Sequence, residues 1–131
     1  MSEQILKTIN ELQFVSVMNK TKWRSLAEGI QSEDGLFPMV REKIIGTVEK
    51  PTEFSGYDWE CLRLGSSSYI EWLEIDPIQK TRIGPLVSDK ETDYSEAIKR
   101  ILVKYNIPYT IEDNCFRIWG YISSENRPDF I

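Results

Sequence analysis

Residues Asp93 to Ile122 read DYSEAIKRILVKYNIPYTIEDNCFRIWGYI, and this stretch decides the fold. Its first half has helical periodicity. Tyr94, Ala97, Ile98, Ile101, Leu102 and Tyr105 recur at spacings of three and four, which places them on one face. Asp93 is the expected cap, with Glu96 three residues on in a relaxed capping-box pattern. Asn106 suits the left-handed position after a helix, and Pro108 prevents continuation. The second half has a period of two. Tyr109 to Glu112 and Cys115 to Ile122 are expected to pair as a hairpin across Asp113-Asn114.

Working outward, Tyr69 to Ile75 is the next clear element. Ile70 and Trp72 are expected on one face, Leu73 and Ile75 on the other, so the strand is apolar on both sides and central in its sheet. Asp76-Pro77 ends it, and Ile78 to Ile83 is a weaker strand closed by Gly84-Pro85. Upstream, Cys61 to Leu64 is read as a short strand, Gly65 to Ser68 as a turn and Pro51 to Trp59 as a loop. Met39 to Val48 has the Val and Ile content of a strand.

Two helices are expected before it. Ser2 to Leu12 carries Ile5, Leu6, Ile9 and Leu12 on one face. Asn19 to Ile30 carries Trp23, Leu26, Ala27 and Ile30, with Asn19 or Thr21 as cap. From Ser123 onward the chain reads as a loose tail. The order ααβ(β)ββαββ predicts an α+β domain: an antiparallel sheet of about four to six strands with three helices packed on it. A chain of 131 residues fits one domain over residues 1–131.

Composition limits the chemistry. There is no histidine, so no Ser-His or Cys-His pair, no His-bearing zinc site and no ordinary general base. Four Trp, six Tyr and five Phe argue against disorder. A net charge of -5 disfavours nucleic acid, which needs clustered cations, and suits a basic protein partner. Cys61 and Cys115 lie far apart and form neither a disulfide framework nor a metal motif, so both are expected to be reduced and half-buried. No cofactor is implied. The opening residues lack a basic segment followed by an apolar run, and no stretch has the length to cross a bilayer, so a cytoplasmic location is expected.

Three blocks carry a resemblance. They are Met18 to Arg24, Tyr69 to Ile75, and Ile107-Pro108-Tyr109 followed by Phe116 to Tyr121. In this order and spacing, from about Val17 to Tyr121, the chain resembles a family of small bacterial proteins known as domain of unknown function 6678. Asn114 stands where that family usually has glycine in the last hairpin turn, a conformation Asn tolerates. The resemblance implies no activity and assigns no site residues.

Three groups of residues are candidates for a binding surface. Alternation sets Phe116, Ile118 and Ile122 on one side of the last strand and Arg117, Trp119 and Tyr121 on the other. Arg, Trp and Tyr are enriched at binding hot spots, which makes the second set the leading candidate. Glu71 and Glu74 add carboxylates; three apart on a regular strand, they point to opposite faces. Lys20, Lys22 and Arg24 beside Trp23 are cations at a helix start, where they oppose the helix dipole and hint at an anionic ligand. No catalytic or metal residues are nominated. The reading that follows is a non-catalytic protein-binding domain, of the kind by which immunity proteins block toxins. The alternatives are a small-molecule or nucleotide sensor, or an enzyme using carboxylates without histidine. No oligomeric state is predicted.

Overall fold

The computed structural model describes Glu3, Lys7 and residues 14–47, 51–81, 84–123 and 128–131. The expected first helix, residues 2–12, lies outside them apart from Glu3 and Lys7.

Among the described residues the order is β1 (Val15–Ser16), α1 (Lys20–Ser32), β2 (Val40–Ile44), α2 (Trp59–Arg63), β3 (Ile70–Ile75), β4 (Ile78–Thr81), β5 (Lys90–Asp93), α3 (Ser95–Lys104), β6 (Tyr109–Glu112), β7 (Cys115–Trp119) and β8 (Tyr121–Ile122). The fold is α+β, and every strand pair is antiparallel. The principal sheet has the order β2-β3-β7-β6; β1-β8 and β4-β5 form two separate ribbons.

The hairpin forms where the sequence places it. Asp113 and Asn114 both take positive φ, 51° and 65°, as a two-residue turn of this twist demands. Asn106 is also left-handed, with φ 53°, and ends α3. Asp93 is a strand residue rather than the formal cap, yet its Oδ1 accepts the Ser95 N–H at 2.9 Å and so still serves the helix start. Cys61 to Leu64 is not a strand. Asp58 Oδ1 accepts the Cys61 N–H at 3.0 Å and starts the five-residue α2, which is too short to show periodicity. β5 is a strand that hydrophobic patterning misses, because Lys90, Glu91, Thr92 and Asp93 bury none of their number.

The core lies between the helices and one face of the sheet. Leu26, Ile30, Ile98 and Leu102 from the helices meet Ile70, Leu73, Ile75, Phe116 and Ile118 from β3 and β7. Gly29 lets α1 approach α3: a Cβ there would lie 2.6 Å from Ile101 Cγ2. β3 is buried along its whole length, as a central strand should be.

The face assignment within β3 differs from simple alternation. The pairing with β2 shifts between Lys43 and Ile44, so Lys43 opposes Trp72 while Ile44 opposes Ile70. This bulge takes up Glu71 as the extra residue and turns Ile70 into the core with Leu73 and Ile75. Glu71 and Glu74 consequently share the sheet face that lies away from the helices. At Gly120 a second break occurs. Its N–H donates to Glu71 O at 2.7 Å, its carbonyl accepts from Val17, and a Cβ would lie 2.1 Å from Ile70 O. No residue with a side chain fits there, and Tyr121 beyond it leaves the principal sheet for the β1-β8 ribbon.

Near the end of the chain, Ile131 N–H donates to Tyr109 O at 3.0 Å, along the β6 edge. No helix among the described residues is long and apolar enough to cross a membrane.

Candidate functional site

The sheet face away from the helices holds four of the sequence-predicted residues, and it uses them internally. Direct cross-strand neighbours are Trp72 with Trp119 and Glu74 with both Arg41 and Arg117. Glu74 has no exposed surface. Arg41 Nε reaches its Oε1 at 2.5 Å and Arg117 Nη2 its Oε2 at 2.8 Å. The Arg117 guanidinium lies over the Trp72 ring at 4.2 Å and the Trp119 ring at 5.2 Å. Trp119, 2% exposed, donates its Nε1–H to Thr110 Oγ1 at 3.0 Å. Lys43 Nζ sits 2.9 Å from Glu71 Oε1. This is a charge-paired ladder with its hydrogen bonds satisfied. The expectation that Arg117, Trp119 and Tyr121 form an open face is therefore corrected: Trp119 is enclosed, Arg117 is paired, and Tyr121 sits elsewhere, donating its hydroxyl to Ser68 O at 2.9 Å.

The three cations of the second candidate group separate. Lys22 Nζ donates to Asn106 O at 2.8 Å and fastens α1 to the end of α3. Arg24 is exposed. Lys20 lines a small pocket with Tyr121 at the start of α1.

The surface with the most distinctive chemistry lies at the other end of α1. An open cleft of about 470 Å³ runs between Ile30 to Phe37 and Tyr57 to Glu60. Glu33, Asp34, Asp58 and Glu60 line it, and no cation among the described residues does. The last turn of α1 carries no basic residue either, so its carbonyl dipoles add to the negative potential. Phe37 is 77% exposed beside this rim. Its position is fixed by Gln79, whose Oε1 accepts the Phe37 N–H at 2.8 Å and whose Nε2 donates to Gly35 O at 2.9 Å. Gly35 makes the turn with φ 77°. On the opposite wall Tyr57 and Trp59 meet edge to face, with ring centroids 5.0 Å apart.

One carboxylate of the cleft, Glu60, is held as an anion. Glu60 accepts from Arg63 and from Gln31, and these bonds pull its carboxyl down to about 2. Glu33 faces Arg100 at 3.4 Å. Glu42 behaves oppositely. Burial raises its carboxyl, against the hydroxyl of Tyr57 that donates to Oε2 at 3.0 Å. The Tyr57 hydroxyl is itself raised, first by burial and then by the neighbouring Glu42 charge. Glu42 does not line the cleft.

The two thiols are free. Cys61 is exposed rather than half-buried, because it lies on the open side of α2, and Cys115 is buried. Burial, with Asp76 and Glu74 nearby, pushes the Cys115 thiol up to about 11. The Cys61 thiol is raised by its bond to Asp58. Both are thereby poorer nucleophiles than an ordinary cysteine.

Sequence reasoning missed the cleft because its residues come from a turn and a five-residue helix. One signal was available. α2 carries Glu60 in its first turn and Arg63 in its last, and α3 carries Glu96 and Lys104, each complementing the helix dipole. α1 has no acid at its start and no base at its end.

No curated protein and no solved structure matches the chain. A family model does, over residues 5–125, a span that takes in the ladder, both ends of α1 and the acidic cleft: the chain belongs to the family of unknown function DUF6678.

Proposed function

We propose that the chain is a non-catalytic, cytoplasmic protein-binding domain that docks a basic patch of a partner protein in the acidic cleft. The observation that carries this is the cleft itself: four carboxylates and the C-terminal end of α1 line it together with the exposed Phe37 ring. An apolar anchor inside a charged rim is the anatomy of a protein-binding hot spot. The net charge of -5 adds long-range attraction for a cationic partner. Occlusion of a basic functional surface, the mode of an immunity-type protein, is the use this geometry suits.

The chemistry present favours binding over catalysis. Both thiols are raised, Glu74 is consumed by two arginines, and the raised carboxyl of Glu42 is engaged by Tyr57 outside the cleft. None of these is a poised acid, base or nucleophile facing a cavity.

The test is a comparison of captured partners. Wild type and Phe37→Ala are used as baits, and the protein held by the first and lost by the second is titrated against each. A loss of at least about tenfold, equal to about 1.4 kcal/mol, with an unchanged melting temperature supports the reading. Equal affinity for both baits refutes it.

A further inference from the structure

The two edges of the principal sheet are closed to different degrees. At β2, Val40 and Ser55 exchange both backbone bonds, at 2.9 and 2.8 Å, and Arg41 Nη1 adds a bond to Thr52 O at 3.3 Å. At β6 the outer side carries one backbone bond among the described residues, from Ile131 N–H to Tyr109 O at 3.0 Å. Open grooves of about 560 and 380 Å³ flank it. Tyr109 and Ile131 line both, with Ile111 in the first and Phe130 in the second.

The register of β6 against β7 settles which groups face outward. The pairs run from Tyr109 with Ile118 to Glu112 with Cys115, the last closing the Asp113-Asn114 turn. Along an antiparallel strand, residues bonded to the partner alternate with residues whose N–H and carbonyl turn away. The pair that closes a two-residue turn is a bonded one, so Glu112 and Thr110 serve β7 while Tyr109 and Ile111 turn outward. The Tyr109 carbonyl, taken by Ile131, agrees with this phase. Ile111 makes no outward backbone bond among the described residues, and its side chain is half exposed. Tyr, Thr and Ile are strand formers, and the strand has neither the Lys nor the Pro that blunts an open edge.

A second β6 fits this edge. Antiparallel pairing about Thr110 sets Tyr109 opposite Ile111 of the second copy, so each such pair exchanges both of its outward bonds. Side chains of paired residues share a face, which lays the exposed Ile111 against the Tyr109 ring. The same register sets Glu112 opposite Pro108, so no like charges meet. The arrangement conflicts with the chain's own contact at one atom, Tyr109 O, which Ile131 already holds.

We infer that β6 is an edge at which two copies of the chain pair, and that the segment 128–131 is a strap that holds it closed.

The experiment is sedimentation equilibrium of the full chain as wild type, as Ile131→Pro, and as Ile131→Pro combined with a change at Ile111. Proline has no N–H, so Ile131→Pro removes the bond of the strap at a residue whose side chain is exposed. Its self-association should be about tenfold tighter than that of wild type, the worth of one good hydrogen bond, with the Tyr109 and Ile111 amides gaining protection from exchange. Adding Ile111→Pro removes an outward N–H that β7 does not use, and adding Ile111→Lys instead keeps the N–H and charges the edge. Each addition should return the chain to a monomer with an unchanged circular dichroism spectrum. Equal association of wild type and Ile131→Pro would overturn the strap. No association of Ile131→Pro up to the limit of solubility, or a dimer that survives both changes at Ile111, would overturn the edge.

Discussion

The two ends of α1 differ in every respect that matters for binding. At its start the first turn carries no acid, and Lys20 helps to line a small pocket with no carboxylate among the described residues. At its end the carbonyl dipoles meet Glu33 and Asp34 in an open acidic cleft. In each case the side chains reinforce the helix dipole, where α2 and α3 neutralise theirs. Reinforcement lowers helix stability by a few tenths to about 1 kcal/mol per end. Charges set against the dipole of the helix they flank point to a use outside it, and that is the basis for placing a binding surface at the C-terminal end of α1.

The largest effects are expected where neither end is involved. Glu74→Gln leaves two arginines without their buried counter-charge and should destabilise by about 3–5 kcal/mol, read from urea unfolding. Trp119→Ala should cost a similar amount, about 3–5 kcal/mol, since the ring is enclosed. Ile98→Ala in the core should cost about 2–5 kcal/mol. If Trp119→Ala instead left stability intact and abolished partner binding, the ladder would be an interface and the contrast between the ends of α1 would lose its meaning.

Next in size is the effect of Phe37→Ala on partner affinity, about 2 kcal/mol if the ring is a hot spot. Stability should move by no more than about 0.5 kcal/mol, because the ring is 77% exposed. Calorimetric titration and thermal melting read the two quantities separately.

The smallest effect concerns pH and sharpens which carboxylates belong to the cleft. Glu60 is pulled down to about 2, so the cleft keeps that charge in mild acid. Glu42 is raised above its ordinary 4.5 by burial. A raised carboxyl contributes stability that is complete below 4.5 and is lost as pH rises through the folded-state value. Glu42→Gln removes that loss and retains an acceptor for Tyr57. The variant should therefore be more stable than wild type at neutral pH, with the advantage vanishing as pH falls to 4.5. A constant difference across pH would show that Glu42 does not titrate between the two states.

Much of this fold was legible. The α3 stripe, Asn106, the Asp113-Asn114 turn and the burial of β3 all follow from local spacing and backbone preference. The faces of β3 and β7 were not, because two breaks in alternation decide them. The bulge at Glu71 depends on pairing with β2, and the turn-out at Gly120 depends on the carbonyl of Ile70; neither partner is visible locally. Site residues fared similarly. Arg117 and Trp119 have the composition of a hot spot, but composition does not show that Glu74 and Thr110 already satisfy them. Phe37 drew no reading from the sequence, and only the Gln79 clamp, 42 residues away, shows why an exposed aromatic is held there. The cationic start of α1 was visible as a charge pattern. Its meaning required the comparison with α2 and α3.

The most direct test needs neither partner nor ligand. It is the unfolding free energy of the double variant Lys20→Glu with Asp34→Lys, which gives α1 an acid in its first turn and a base just past its last. If its charges are set against its own stability to serve binding, the double variant unfolds with a free energy higher by about 1 kcal/mol, the sum of two dipole terms. An unchanged or lower value would contradict the account, because the native charges would then be the ones the helix itself prefers.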